Sequence, residues 1–322
     1  MVYLVSDTEK QSFERDGYVI LPNVIDGEML TLLREECAYF VGYTDATMRA
    51  QNREIDGITH RGKRYFIGGR YRSSNRLYRY IFGQAMASIT GALLGETVYL
   101  FNEQWVVKGP EQGMKFAWHQ DSGYVKYLDP ETRHQPYLTC WCALDDMTEG
   151  NGTISVLPHD LVGTRNRVLS HTKESGTNDL VGYTGAEDGT LIEMDAGSIA
   201  VFSSTTLHRS GPNMDNSSRR VYLTQYSLEP ILTAEGSLWG QAVPFIQEGR
   251  NVYDQNKDFL SPQVAHRIRE RLVRDADSSK RKSGRESGGR IDCGFSGRRF
   301  SPSTYSRSKR SCGYGVQSIF CH

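Results

Sequence analysis

Apolar positions change their spacing near residue 95. Before it they recur at helical intervals. Ser6 or Asp7 can cap a short helix that ends at Asp16-Gly17, after which Tyr18-Val19-Ile20-Leu21 reads as a strand. Asp26 caps a stronger helix with Leu30, Leu33, Cys37 and Phe40 along one side, and a third helix is expected over 75–94, with Leu77, Ile81, Met86, Ile89 and Leu93 on its apolar face. Beyond it the pattern shortens to apolar or alternating runs at 97–108, 115–119, 137–144, 152–157, 190–194, 198–203 and 219–227. Turn-forming clusters such as Lys108-Gly109-Pro110, Glu149-Gly150-Asn151-Gly152 and Asp195-Ala196-Gly197 separate them. Helices followed by many short strands predict a mostly β sandwich or barrel with helical support. Residues 160–188 are polar and weakly patterned, as expected of a lid or binding loop.

The 322 residues are 38% hydrophobic and 24% charged, which excludes collagen-like and wholly disordered classes. Lys plus Arg and Asp plus Glu are both 38, but the last 48 residues hold ten basic and four acidic residues, leaving 28 and 34 in the body. That end is rich in Ser, Gly and Arg, so 275–322 reads as a disordered basic tail behind a single domain over 1–260. The chain has no apolar run long enough to span a membrane. The N-terminus lacks the apolar core of a secretory leader, and six cysteines without a framework spacing suit a reducing interior, so a cytoplasmic location is expected.

The chemistry concentrates in two places. His119-Gln120-Asp121 stands at the end of an expected strand, where side chains two apart share a face and can grip one object. Leu207-His208-Arg209-Ser210-Gly211-Pro212-Asn213 follows the strand at 198–203, and Arg219 opens the next strand eleven residues after His208. Two imidazoles and one carboxylate make the facial triad of non-haem Fe(II) oxygenases, with three metal sites left open for a chelating 2-oxoacid and O₂. The far carboxylate of that co-substrate needs a fixed cation, and arginine's planar fork suits it. Arg219 is well placed; Arg220 would face the other way, so only one of the two can serve.

These residues carry a resemblance to a known family. Phe13-Glu14-Arg15-Asp16-Gly17-Tyr18, Trp118-His119-Gln120-Asp121 and the block from His208 through Arg219 to Gln225-Tyr226 resemble the phytanoyl-CoA dioxygenase family of Fe(II)/2-oxoglutarate oxygenases, over about residues 8 to 230. The resemblance implies a double-stranded β-helix core (a jelly-roll, cupin-like barrel) with the N-terminal helices packed outside. It implies iron on His119, Asp121 and His208, the far carboxylate of 2-oxoglutarate on Arg219 with Ser210, and Trp141 lining the co-substrate pocket. The implied reaction is hydroxylation, or another oxidation, of a C–H bond in a small molecule, with O₂ consumed and succinate and CO₂ released. Related halogenases replace the carboxylate by a small residue, so Asp121 disfavours halogenation. One departure is the segment Leu157-Pro158-His159-Asp160, where the family often has Pro-Gly-Ser-His.

Other signals are weaker. Seven basic residues between Arg61 and Arg79, interleaved with Tyr65, Phe66, Tyr71 and Tyr78, can receive an anionic substrate or a CoA ester, or can pair with acidic neighbours. With the tail, they also frame the alternative of a nucleic-acid binder. Cys140 and Cys142 lack a second pair for zinc and read as small buried groups opposite Trp141. His134 and His171 stand in loops that flank the expected pocket, His60 and His159 lack paired spacing, and alternation aims Gln104 inward as a co-substrate or substrate contact.

Overall fold

The structure, a computed structural model, describes residues 2–110 and 114–259; the basic tail lies outside them. Ser6 caps α1 (Asp7–Asp16) through a reciprocal pair with Glu9, and Gly17, in the left-handed region at φ 82°, ends it. The chain turns there into β1 (Tyr18–Leu21). Asp26 accepts the Met29 N–H at the start of α2 (Gly27–Ala50), whose buried side holds Leu32, Leu33, Cys37 and Phe40.

The strand β2 (Arg64–Gly68) was not expected. Its signal was the run Tyr65-Phe66-Ile67, hidden inside the basic stretch. The helix expected over 75–94 is broken. One turn, Tyr78–Ile81, is separated by Phe82-Gly83 from α3 (Gln84–Leu93). Gly83 packs so closely that a Cβ there would stand 2.3 Å from the Arg79 carbonyl oxygen, and its extended ψ of 169° starts a new helix.

Ten strands form the larger sheet among the described residues. Its working members are β3 (Val98–Lys108), β5 (Leu138–Ala143), β8 (Ile199–Ser203) and β10 (Arg219–Ser227), with β1 and β2 further out and β11 (Val243–Gln247) on β3. The smaller sheet joins β7 (Thr190–Leu191), β6 (Ile154–Leu157), β9 (Leu207–Ser210) and β4 (Phe116–His119), in that order. Between β4 and β5 lies α4 (Asp121–Leu128). The two sheets enclose one apolar core, in which Phe116, Ile154 and Val156 of the smaller meet Val106, Trp141 and Phe202 of the larger. The larger sheet's other face packs Cys140, Cys142, Tyr222 and Tyr226 against Leu33, Ile81 and Met86 from the helices. This is a mostly β jelly roll with helices outside, as expected.

The 160–188 loop carries more structure than its polarity suggested. It holds a helical turn at His159–Val162 and a hairpin of Thr172–Lys173 with Leu180–Val181. Asp179 of that hairpin makes a fully buried ion pair with Arg64 at 2.7 Å. Asp254 caps a short separate helix, Gln255–Phe259, in a second unit of the chain.

Candidate functional site

Strands β4 and β9 run antiparallel with His208 opposite His119, so both imidazoles rise from one rung of the smaller sheet, ring centroids 4.1 Å apart. Asp121 arrives differently. The expectation that it shares a strand face with His119 is corrected: β4 stops at His119, Gln120 stands just ahead of α4, and Asp121 is the helix's first residue. The Gly123 N–H closes onto the Gln120 carbonyl at 2.9 Å, and the Ser122 N–H donates to the Ser204 carbonyl at 2.9 Å. This turn brings the acid to the rings. Ligand atoms of His119, Asp121 and His208 lie within 4.8 Å of one another, and all three residues are buried.

Neighbouring groups fix each of the three. His119 Nδ1 donates to the Ala117 carbonyl at 2.8 Å and His208 Nδ1 to the Thr206 carbonyl at 3.1 Å, which leaves both Nε2 lone pairs facing the cluster. Burial, reinforced by the His208 ring, pushes His119 well below the ordinary imidazole range, so it is a neutral donor. Asp121 Oδ2 accepts from Thr139 Oγ1 at 2.5 Å and from Gln225 Nε2 at 3.0 Å, and Gln225 is held in turn by Asn102 Nδ2 at 3.0 Å. Thr139, Gln225 and Asn102 were not assigned from sequence. Alternation puts all three on the inward faces of neighbouring strands.

The second half of the site lies along β3 and β10, whose register places Arg219 opposite Lys108 and Leu223 opposite Gln104. Arg219 is 1% exposed, with its guanidinium 5.2 Å over the Trp141 ring. Its Nη2 donates to the Gly152 carbonyl at 3.2 Å, while Nε and Nη1 have no partner among the described residues. Burial lowers its pKa to about 10. Arg220 points away and forms a fork with Asp145, its Nη2 2.5 Å from Oδ1. Strand alternation thus turns Arg219, and not Arg220, toward the triad. Lys108 Nζ donates to the Gly211 carbonyl, and burial, then Arg219 and Arg64, push its pKa well down.

A cavity open to solvent joins the two halves. Trp141, Ser210, Gln104 and Lys108 line it beside the triad and Arg219, and Ile58, Phe66, Phe116 and Ile154 supply apolar walls. Gln104 Oε1 is buried there without a partner. His134 and His171 do not line it. His134 Nδ1 contacts the Gln135 carbonyl at 2.9 Å, and His171 bonds to backbone beneath the metal-ligand turn. His159 packs against Gly17 with Nδ1 3.2 Å from Thr164 Oγ1, and His60 Nε2 reaches the Thr177 carbonyl at 3.4 Å. Cys140 and Cys142 are buried free thiols behind the sheet, as expected. Within the basic stretch Arg61 pairs with Glu54, Arg64 with Asp179, Arg76 with Glu35 and Glu36, and Arg79 with Glu28. Those four cations meet carboxylates of this chain, which weakens the nucleic-acid reading. Among the described residues no helix is long and apolar enough to cross a membrane.

The donor set fits a resident iron and its co-substrate. Two imidazoles and a carboxylate converge on a common centre, and a buried guanidinium with two idle donors fits the carboxylate of a co-substrate. Comparison with known proteins agrees. The family model for phytanoyl-CoA dioxygenase (PhyH) matches residues 13–221, more than half the chain. A methylphosphonate hydroxylase of Gimesia maris is 26% identical over 239 residues, covering 73% of this chain and 84% of its own. An ectoine dioxygenase of Bordetella parapertussis is 26% identical over 248 residues, covering 71% and 77%. Among solved structures, EvdO2 of Micromonospora carbonacea complexed with 2-oxoglutarate superposes with a TM-score of 0.56 at 24% identity, over 74% of this chain and 96% of that one. The chain belongs to the phytanoyl-CoA dioxygenase family, and it is an iron- and 2-oxoglutarate-dependent dioxygenase of small molecules.

Proposed function

We propose that His119, Asp121 and His208 hold the iron, that Arg219, Ser210 and Lys108 receive the far carboxylate of 2-oxoglutarate beside Trp141, and that the substrate is a small anionic molecule oxidised at a C–H bond. The observation that carries this reading is the Arg219 fork, sealed with Nε and Nη1 unpaired in the cavity that also holds the three ligands. When bound, the iron supplies activation of O₂ with the 2-oxoacid, which leaves as succinate and CO₂ while the substrate carbon is oxidised. The protein's residues do the rest. Both imidazoles are locked in the tautomer that presents Nε2, Asp121 is aimed by Thr139 and Gln225, and the apolar walls exclude water from the reacting centre.

Substrate charge follows from the cations. Lys108 and Arg219 are buried with no carboxylate partner among the described residues, Lys108 is pushed toward the neutral amine and regains its proton beside an anion, and a divalent metal exceeds the charge of one carboxylate. With Lys108 protonated beside it, a dianionic co-substrate does not neutralise that total, so the remaining space favours a further negative group, a carboxylate or a phosphonate. The relative named for methylphosphonate is consistent with this; an acyl-CoA would have to leave its nucleotide outside the cavity. Gln104 stands four strand residues, about 13 Å, from the Lys108–Arg219 row, so we assign it to the substrate rather than to the far carboxylate. We read 1–260 as the catalytic domain and 160–188 as its lid. The buried free thiols of Cys37, Cys140 and Cys142 support a reducing, cytoplasmic setting.

The test is anaerobic. Fe(II) and 2-oxoglutarate added to the full chain should give the weak visible charge-transfer band of the chelate, and His208→Ala and Asp121→Ala should each abolish it. With air, the same protein should release succinate faster on addition of methylphosphonate than of a neutral analogue. A band that survives both substitutions would refute the metal assignment.

A further inference from the structure

A clamp that the reaction scheme does not use lies beneath the metal-ligand turn. His171, from the 160–188 loop, accepts the Gln120 backbone N–H at Nε2, 3.0 Å away, while its Nδ1 donates to the Leu169 carbonyl at 2.8 Å. The Gln120 side chain reaches back into the same loop. Its Nε2 donates to the Arg167 carbonyl at 2.8 Å and the Thr205 carbonyl at 2.6 Å, and its Oε1 accepts the Leu169 N–H at 2.7 Å. The imidazole is gripped on two sides. A Cβ on Gly123 would stand 2.2 Å from its Cε1, and one on Gly182 2.3 Å from its Nε2. Gly123 sits in α4 and Gly182 donates to the Trp118 carbonyl at 2.8 Å, neither with a left-handed backbone. The absence of a side chain at both is therefore dictated by the ring, since the backbone does not require it.

Gln120 is the residue at which strand becomes helix, so its peptide sets the angle between the His119 imidazole and the Asp121 carboxylate. A buried N–H at such a hinge needs an acceptor, and without one the peptide turns to find another. Resting on the triad assignment above, we propose that His171 is a positioning residue: a loop histidine that fixes the peptide between two iron ligands, making the loop over 160–188 part of the metal site's support.

The experiment compares His171→Leu, which fills the space without an acceptor, with His171→Gln, whose Oε1 can replace Nε2, in the full chain. For His171→Leu we expect Fe(II) binding, read anaerobically with saturating 2-oxoglutarate, to weaken about ten- to a hundredfold and the visible band to shift. His171→Gln should return both to within about threefold of the parent. In the metal-free protein, hydrogen exchange at the Gln120 amide should quicken at least about tenfold in the Leu variant and stay slow in the Gln variant. Gly123→Ala, which helix propensity alone would make harmless, should reproduce the loss by displacing the ring, and should add nothing in a His171→Ala background. Parent-like iron affinity and band in His171→Leu, with the Gln120 amide freely exchanging, would overturn the proposal. If instead His208→Ala kept the band, the triad assignment beneath it would fall.

Discussion

Gln225 offers the sharpest quantitative test of how the carboxylate is held. Changing Gln225→Leu keeps the volume and removes three contacts at once. Asp121 Oδ2 loses a donor at 3.0 Å, Thr139 Oγ1 loses one at 3.1 Å, and Asn102 Nδ2 loses its acceptor. A hydrogen bond to an ionised carboxylate contributes about 1.5–3 kcal/mol, and 1.4 kcal/mol is tenfold, so Fe(II) affinity should fall by about one to two decades. The abandoned Asn102 donor, buried against the same wall, should cost the metal-free fold about 1–3 kcal/mol separately. The two effects are read apart by anaerobic Fe(II) titration of the 2-oxoglutarate band and by urea unfolding of the metal-free chain. Iron affinity within twofold of the parent, in a variant whose fold is weakened as expected, would show that Thr139 alone aims Asp121 and that the Gln225 argument is wrong.

Three further outcomes follow from the same geometry. Arg219→Met should weaken 2-oxoglutarate binding by at least about thirtyfold, on the 2–5 kcal/mol expected for truncating one partner of a buried charge pair, whereas Arg220→Met, which faces Asp145, should leave that affinity within about twofold and lower only the melting temperature; co-substrate titration of both variants checks this. Asp179→Ala strands the buried Arg64 guanidinium and should destabilise the fold by about 3–5 kcal/mol in denaturant unfolding. Burial raises Glu103 from 4.5 to about 7 despite bonds from Tyr222 and from the Tyr71 and Arg70 amides. The native state therefore holds a proton that the unfolded chain releases first, and stability should decline by about 3 kcal/mol as pH rises from about 4.5 through 7. Glu103→Gln should flatten that decline in melting curves taken across the range.

The parts of the site that were legible in the sequence are those set by period and spacing. Alternation alone separated Arg219 from Arg220 and sent Cys140 and Cys142 behind Trp141, because a strand has only two faces. The break at Gly83 was not legible, since an uninterrupted apolar stripe runs through it and the cause is contact with the Arg79 carbonyl. Asp121 was placed with the right partners for the wrong local reason. Tyr124, Val125 and Leu128 follow it at helical spacing, but the strand pattern before His119 outweighed so short a signal. His171 was read as a pocket-flanking side chain, and the structure sends it to a backbone amide that no side-chain pattern encodes. The strand at Arg64–Gly68 was masked by its flanking charges, most of which turn inward or pair across the surface.

Because the two imidazoles share one rung of adjacent strands while the acid rides on a helix, the coordinating jaws are unequal. One is as stiff as the barrel; the other hangs from side-chain bonds and can be exchanged without unzipping a single ladder. Shortening Asp121 to glycine would thus leave a half-clasp still pre-aligned, with a berth where a small dissolved anion such as formate could settle in the lost carboxylate's stead.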